Sequence, residues 1–161
     1  MNANALNAKA SDIMNPEVIS IVTGTKLNEV IKKLAGKGIG GLPVVDEDGR
    51  IIGIITETDL MNFASKIHVV SLMDSSGWIS PYTDVAEMVS YQQGFELLEK
   101  TPVDQVMSRK VVSVRLDTAA PEVARLMQKK KINRIPVVDS DGKIHGIIAR
   151  ADLVDFLAGF A

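Results

Sequence analysis

The stretch Leu42-Pro43-Val44-Val45-Asp46-Glu47-Asp48-Gly49-Arg50-Ile51-Ile52-Gly53-Ile54-Ile55 returns 93 residues later as Ile135-Pro136-Val137-Val138-Asp139-Ser140-Asp141-Gly142-Lys143-Ile144-His145-Gly146-Ile147-Ile148. Each copy places two β-rich apolar runs on either side of Asp-Gly, a pair that supplies the positive-φ residues of a tight hairpin. Extended outward, Met14–Leu60 overlays Met107–Leu153 at the same shift, with 20 identities in 47 positions and no gap. Chance would give about three at average composition. The chain therefore carries two copies of one structural unit.

Both copies read alike. Val18–Val22 and Val111–Arg115 are rich in β-branched residues and read as strands. A helix is expected over Thr25–Lys37, with Leu27, Val30, Ile31 and Leu34 on one stripe. Its partner spans Thr118–Lys130, with Ala120, Val123, Ala124 and Met127 on the stripe and Pro121 in the first turn. Strands Leu42–Val45 and Ile51–Ile55, then Ile135–Val138 and Ile144–Ile148, form the hairpins. A closing helix turns Leu60 and Phe63 inward in one copy, Leu153 and Phe156 in the other. The fold class is α/β (α+β), built from two β-α-β-β-α repeats at 11–64 and 102–158. An insert at 65–101 separates them: a loop through Ser75, Ser76, Gly77, Ser80 and Pro81, then a helix capped by Asp84. Val85, Met88, Val89, Phe95 and Leu98 fall roughly on one face of that helix. A repeat of about 50 residues buries too little surface alone, so the copies are expected to pack on each other.

Composition narrows the function. Apolar residues make up 46%, charged residues 24%, and mean hydropathy is +0.14, the balance of an ordinary globular chain. The net charge of −2 offers no general attraction for nucleic acid or an anionic membrane, and 4% aromatics argue against a base-stacking platform. Without cysteine there is no disulfide, thiol nucleophile or thiolate metal site. The start, Met1–Ala10, lacks the pattern of a secretory signal, and no apolar run approaches a membrane span; a cytoplasmic setting is expected. No nucleophile–base–orienter set and no metal cluster appears, so neither catalytic nor metal-binding residues are expected.

In order and in duplicate, Asp12-Ile13-Met14 with Gln105-Val106-Met107, Leu42-Pro43-Val44-Val45-Asp46, and Gly53-Ile54-Ile55-Thr56-Glu57-Thr58-Asp59-Leu60 with their counterparts at 135–139 and 146–153 resemble the CBS domain, named after cystathionine β-synthase and present here as a tandem pair, or Bateman module. The resemblance covers about two thirds of the chain. It implies two repeats packed sheet to sheet about a pseudo-twofold axis, two clefts at the seam that often bind adenosine compounds, and a homodimer.

Thr56-Glu57-Thr58-Asp59 opens a helix, where free N–H groups and the dipole favour an anion. The resemblance assigns the ribose to Asp59 and the phosphate to Thr56. The same four residues also form the pattern of a capping box, and both roles can hold. In the second copy Ala149-Arg150-Ala151-Asp152 keeps the acid and loses the hydroxyl. There Asp152 is expected to take a ribose, with Arg150 as a cation or as a solvated first-turn residue. Asn133-Arg134-Ile135-Pro136 resembles the family pattern whose arginine reaches phosphate held mainly by the other repeat, which assigns Arg134 to the Thr56/Asp59 cleft. Gly41, its counterpart, offers no side chain, so unequal clefts follow. The base slots implied are Val18, Ile19 and Val44 in one cleft and Val111, Val112 and Val137 in the other; as plain residues these are equally core valines and isoleucines.

Other signals are set aside. Gly36-Lys37-Gly38-Ile39-Gly40-Gly41 ends a helix instead of opening one, unlike a dinucleotide fingerprint. Asp46-Glu47-Asp48-Gly49 lacks the remaining ligands of a calcium loop. Lys129-Lys130-Lys131 suits a solvated helix end, His145 faces no second ligand, and Trp78 reads as a loop anchor. The expected function is a regulatory module, not an enzyme. It would need no cofactor, would bind AMP, ADP or ATP as a regulatory adenine nucleotide, and would signal to an unknown regulated protein. A structural dimerisation module without ligand and an S-adenosylmethionine sensor are the alternatives.

Overall fold

The computed structural model describes residues 7–67 and 85–159. In chain order these form α1 (Ala10–Ile13), β1 (Ile21–Val22), α2 (Leu27–Lys37), β2 (Gly41–Val45), β3 (Ile51–Thr56), α3 (Glu57–Lys66), α4 (Val85–Lys100), a 3-10 turn (Val103–Gln105), β4 (Val114–Arg115), α5 (Ala120–Lys130), β5 (Arg134–Val138), β6 (Ile144–Ala149) and α6 (Arg150–Ala158). Two three-stranded sheets result, ordered β1-β2-β3 and β4-β5-β6. The β-α-β-β-α order of each copy, and a mixed α+β class, are as the sequence implies. Ser75, Ser76, Gly77, Trp78, Ser80, Pro81 and Asp84 lie outside the described residues.

The chain forms two compact units: 1–20, 45–52 and 110–161 in one, 21–44 and 53–109 in the other. In the first, β4 runs parallel to β5 with Val114 opposite Val137, and β5 runs antiparallel to β6 with Arg134 opposite Ala149 and Ile135 opposite Ile148. Ala120, Val123 and Met127 of α5 join Val114, Ile135, Val137, Ile148 and Leu153 in one buried cluster. Each Val, Ile, Leu or Met among them contributes about 1.5–3 kcal/mol relative to exposure, so this stripe holds the helix far more firmly than helix propensity does.

Ala8, Ala10 and Ile13 belong to the same cluster. The leading segment of the first copy thus packs on the second: Ala10 N–H donates to Thr118 O (2.7 Å), Ala120 N–H to Ala8 O (2.8 Å), and Asn15 bridges Ile147. The other unit mirrors this. Leu27 N–H donates to Thr101 O (3.0 Å), Val103 N–H to Thr25 O (2.8 Å), and Ser108 bridges Ile54, so the leading segment of the second copy seats on the first. Glycine makes room at both seats. A Cβ on Gly53 would run into the Met107 thioether, and one on Gly146 into that of Met14. Within the first unit the two hairpin turns also meet, Arg50 bridging Lys143 and Ile51 N–H donating to Gly142 O (3.1 Å).

Four local readings change. Strand pairing begins only at Ile21 and Val114, because Asn15-Pro16 makes a turn (Glu17 N–H to Asn15 Oδ1, 2.9 Å; Val18 N–H to Pro16 O, 3.0 Å) and β5 pairs with just two residues of β4. Helices α2 and α5 start two residues later than the periodicity predicts, at Leu27 and Ala120, since Lys26 and Ala119 have extended backbones as their N-caps. Ala124 is exposed; its methyl is too small to reach the sheet, and Leu126 supplies a half-buried contact instead. On α4, Gly94, Leu98 and then Thr101 are buried at helical spacing while Phe95 and Leu97 are exposed, at 43% and 44%. The side chains of Val85, Met88 and Val89 fall outside the described residues.

Candidate functional site

Strand β3 passes directly into α3, with Thr56 as N-cap in an extended conformation (φ −121°, ψ 164°). The Asp59 carboxylate accepts from Thr56 N–H (2.9 Å) and from the Thr56 hydroxyl (2.6 Å) on one oxygen, Oδ2. Asp59 N–H in turn donates to Thr56 Oγ1 (3.3 Å), completing a capping box. Among the described residues, Asp59 Oδ1 accepts no hydrogen bond. It is the acceptor left for a hydroxyl from outside, while the single hydroxyl proton of Thr56 must leave Asp59 before it can serve an incoming oxygen.

The β6–α6 junction repeats the backbone and changes the side chains. Ala149 N–H donates to Asp152 Oδ2 (2.7 Å), so the acid caps the helix unaided; alanine has nothing to return to Asp152 N–H. The first amide of each closing helix is spent identically, Glu57 N–H on Gly40 O (3.1 Å) and Arg150 N–H on Asn133 O (3.0 Å). Arg134, half-buried, stands opposite Ala149, and Arg150 is exposed. Neither guanidinium has an acidic partner among the described residues.

Thr56 and Asp59 are thus brought together in one unit, and Arg134, Arg150 and Asp152 gather at one strand–helix junction of the other. Val44 and Val137 are fully buried. Val18, Ile19, Val111 and Val112 are half-buried in the irregular approaches to β1 and β4, and Val112 packs on the core cluster that holds Val137. An open groove of about 440 Å³ lies elsewhere, past the carboxyl ends of β4 and β5, lined by Arg115, Asp117, Val138 and Asp139 and by none of the residues expected to bind ligand.

Two arrangements carried no sequence signal. The Asp104 carboxylate accepts from the Thr23 hydroxyl (2.6 Å) and from Gly24 N–H (2.7 Å), tying the segment after α4 to the β1–α2 turn. The Thr23 bond above all, then the Gly24 amide and Arg109, hold this carboxyl below its ordinary value against the opposing pull of partial burial. Asp139 accepts from its own hairpin and meets His145 Nε2 at 2.8 Å; the imidazole bond is the main reason its carboxyl also lies low. Neither arrangement recurs in the other copy: Ser11 aligns with Asp104, and although Asp46 aligns with Asp139, Ile52 stands where His145 does. Among the described residues no cluster of three or more potential metal ligands occurs, and no helix is long and apolar enough to cross a membrane.

Residues 10–66 and 103–159 each match the CBS domain model, and the chain belongs to that family. It is a tandem pair of CBS repeats. It is 28% identical over 169 residues to the uncharacterized protein MJ1426 of Methanocaldococcus jannaschii, covering 98% of this chain and 95% of that one. Its fold matches CBSX2 of Arabidopsis thaliana crystallised in complex with AMP (TM-score 0.70, 24% identity, 94% of this chain and 97% of that one). It also matches the cytosolic domain of the Mg2+ channel MgtE in complex with ATP (TM-score 0.65, 28% identity, 92% of this chain and 48% of that one).

Proposed function

We propose that this CBS pair is a regulatory module that binds an adenosine ligand, AMP, ADP or ATP, and passes its occupancy to a regulated protein without catalysing a reaction. The carrying observation is the Thr56–Asp59 junction. A carboxylate held rigid by its cap keeps Oδ1 open for a ribose hydroxyl, beside a hydroxyl that can turn towards phosphate. Arg134 supplies the guanidinium for that phosphate. Asp152 and Arg150 serve a second, weaker site, and the backbones around Val18, Ile19 and Val44, and around Val111, Val112 and Val137, meet the bases. Relatives crystallised with AMP and with ATP support the ligand class. Action as a homodimer in the cytoplasm belongs to the same reading. A ligand at ~100 times its dissociation constant adds about 2.7 kcal/mol to stability, a shift visible in thermal melts. Melts with AMP, ADP, ATP and S-adenosylmethionine, each repeated on Asp59→Ala, test the reading. Expected is a shift with at least one adenine nucleotide that Asp59→Ala removes. No shift with any of them would leave a purely structural module.

A further inference from the structure

We infer that Met14 is an oxidation site: a peroxide converts its thioether to the sulfoxide, which unseats the side chain from Gly146 and opens the strand rung beside it. Both copies use one device. Met14 lies over Gly146 so closely that a Cβ there would run into Sδ and stand 2.7 Å from Cγ and 3.0 Å from Cβ. Met107 lies over Gly53 in the same way, with its Cγ at 3.0 Å. Each sulfur thus takes the space of a missing side chain. The residue after each methionine then pairs in both directions with the residue after that glycine. Asn15 N–H donates to Ile147 O (2.9 Å) and Ile147 N–H to Asn15 O (3.0 Å). Ile54 N–H donates to Ser108 O (2.9 Å) and Ser108 N–H to Ile54 O (2.8 Å).

Access separates the two seats. Met107 is 7% exposed, whereas Met14 is only half-buried, packed against the apolar cluster that holds Ala10, Ile13, Ile148 and Leu153. With hydrogen peroxide, a sulfur lone pair takes one peroxide oxygen as the O–O bond breaks. Sulfur is oxidised by two electrons, and the peroxide is reduced and leaves as water. The product is a larger, polar group whose oxygen calls for a hydrogen-bond donor. Gly146 leaves no space on its side of the sulfur, and those four cluster side chains carry no donor. The oxygen is satisfied only by water, so the side chain lifts from its seat. Ala10 N–H to Thr118 O and Ala120 N–H to Ala8 O still tie the start of the segment, which confines the opening to Met14, Asn15 and the facing Ile147 of β6. None of this depends on the nucleotide reading above.

Stepwise treatment of the full chain with hydrogen peroxide, followed by peptide mass mapping, tests the site. Sulfoxide is expected first at Met61, which is 55% exposed, next at Met14, and last at the buried Met107 and Met127. Chains oxidised at Met14 should melt several degrees lower and exchange the Ile147 amide about tenfold faster. Methionine sulfoxide reductase should restore both. Met14→Leu, a change that nearly conserves volume and cannot take up oxygen, should remove both losses at the same peroxide dose. Met14→Gln, which puts a polar group in the seat, should reproduce them without peroxide. If Met14→Leu does not fold, reversal by the reductase decides. Oxidation of Met14 as slow as that of Met107 overturns the inference, as does a Met14 sulfoxide that leaves both the melt and Ile147 exchange unchanged.

Discussion

The β3–α3 and β6–α6 junctions share the amide bonds to the capping aspartate and to the neighbouring strand, yet differ in most of the side chains around them. Asp59 and Asp152 both accept from the amide three residues earlier, and Glu57 and Arg150 both donate to the carbonyl that precedes the neighbouring hairpin strand, β2 or β5. Around that frame, Gly41 and Thr56 in one copy become Arg134 and Ala149 in the other. The comparison separates two pressures on a duplicated unit. Backbone satisfaction leaves few choices, because each buried amide without a partner costs about 1–3 kcal/mol, whereas the side chains around it are free to diverge.

The comparison breaks most readily at the glycine seats. Gly53→Ala drives a methyl into the Met107 thioether and to 3.1 Å from the Ser108 carbonyl, so a loss of about 1–3 kcal/mol is expected in denaturant unfolding. Gly146→Ala meets the Met14 side chain down to its Cβ, at 3.0 Å, and should cost at least as much. A clearly smaller loss at Gly146 would mean that the Met14 seat yields more easily than the Met107 seat. A smaller effect distinguishes the junctions. Thr56→Ala should cost about 1 kcal/mol as a lost cap, while Ala149→Thr should return nothing, since Arg134 stands opposite it; a stabilised Ala149→Thr in thermal melts would contradict this.

The smallest effect is confined to one unit. Asp104 titrates below its ordinary value in the folded chain, so its contribution is present above about pH 4, the unfolded value, and is lost as pH falls towards the folded one. Asp104→Asn should therefore narrow its Tm gap to wild type between pH 5 and pH 3. Ser11, the counterpart of Asp104, carries no carboxyl, and its hydroxyl reaches Asp12 Oδ1 only at 3.5 Å, so Ser11→Ala should show a far smaller pH-dependent gap over that range.

Much of this architecture was legible from the repeat alone. Asp48-Gly49 and Asp141-Gly142 announce their turns, and both glycines have positive φ (80° and 79°). The apolar stripes of Leu27, Val30 and Leu34, and of Val123 and Met127, mark the buried helix faces. The Thr56–Asp59 spacing announced a cap whose bonds are formed. What stayed hidden has a common cause. A pattern of spacings says which residues share a face, not which of two nearly identical sheets that face will meet. Thus Met14 and Met107 read as heads of their own copies while each seats on the other copy's glycine. Asp104 was equally silent, because a lone carboxylate in a connecting segment has no periodicity to betray its partners Thr23 and Gly24. Ala124 looked like a stripe residue by position and failed by size.

The crossed seating of residues 7–15 and 101–109 bears on how such a chain can be cut or shuffled. A gene fragment ending near residue 64 would encode the first sheet without the methionine that fills the hollow over Gly53, leaving apolar surface and the edge groups of Ile54 open to water. One that runs on through Arg109 carries that plug with it. The heritable piece is therefore longer than the motif, and a lone copy moved into another protein must borrow a lid from its new neighbour.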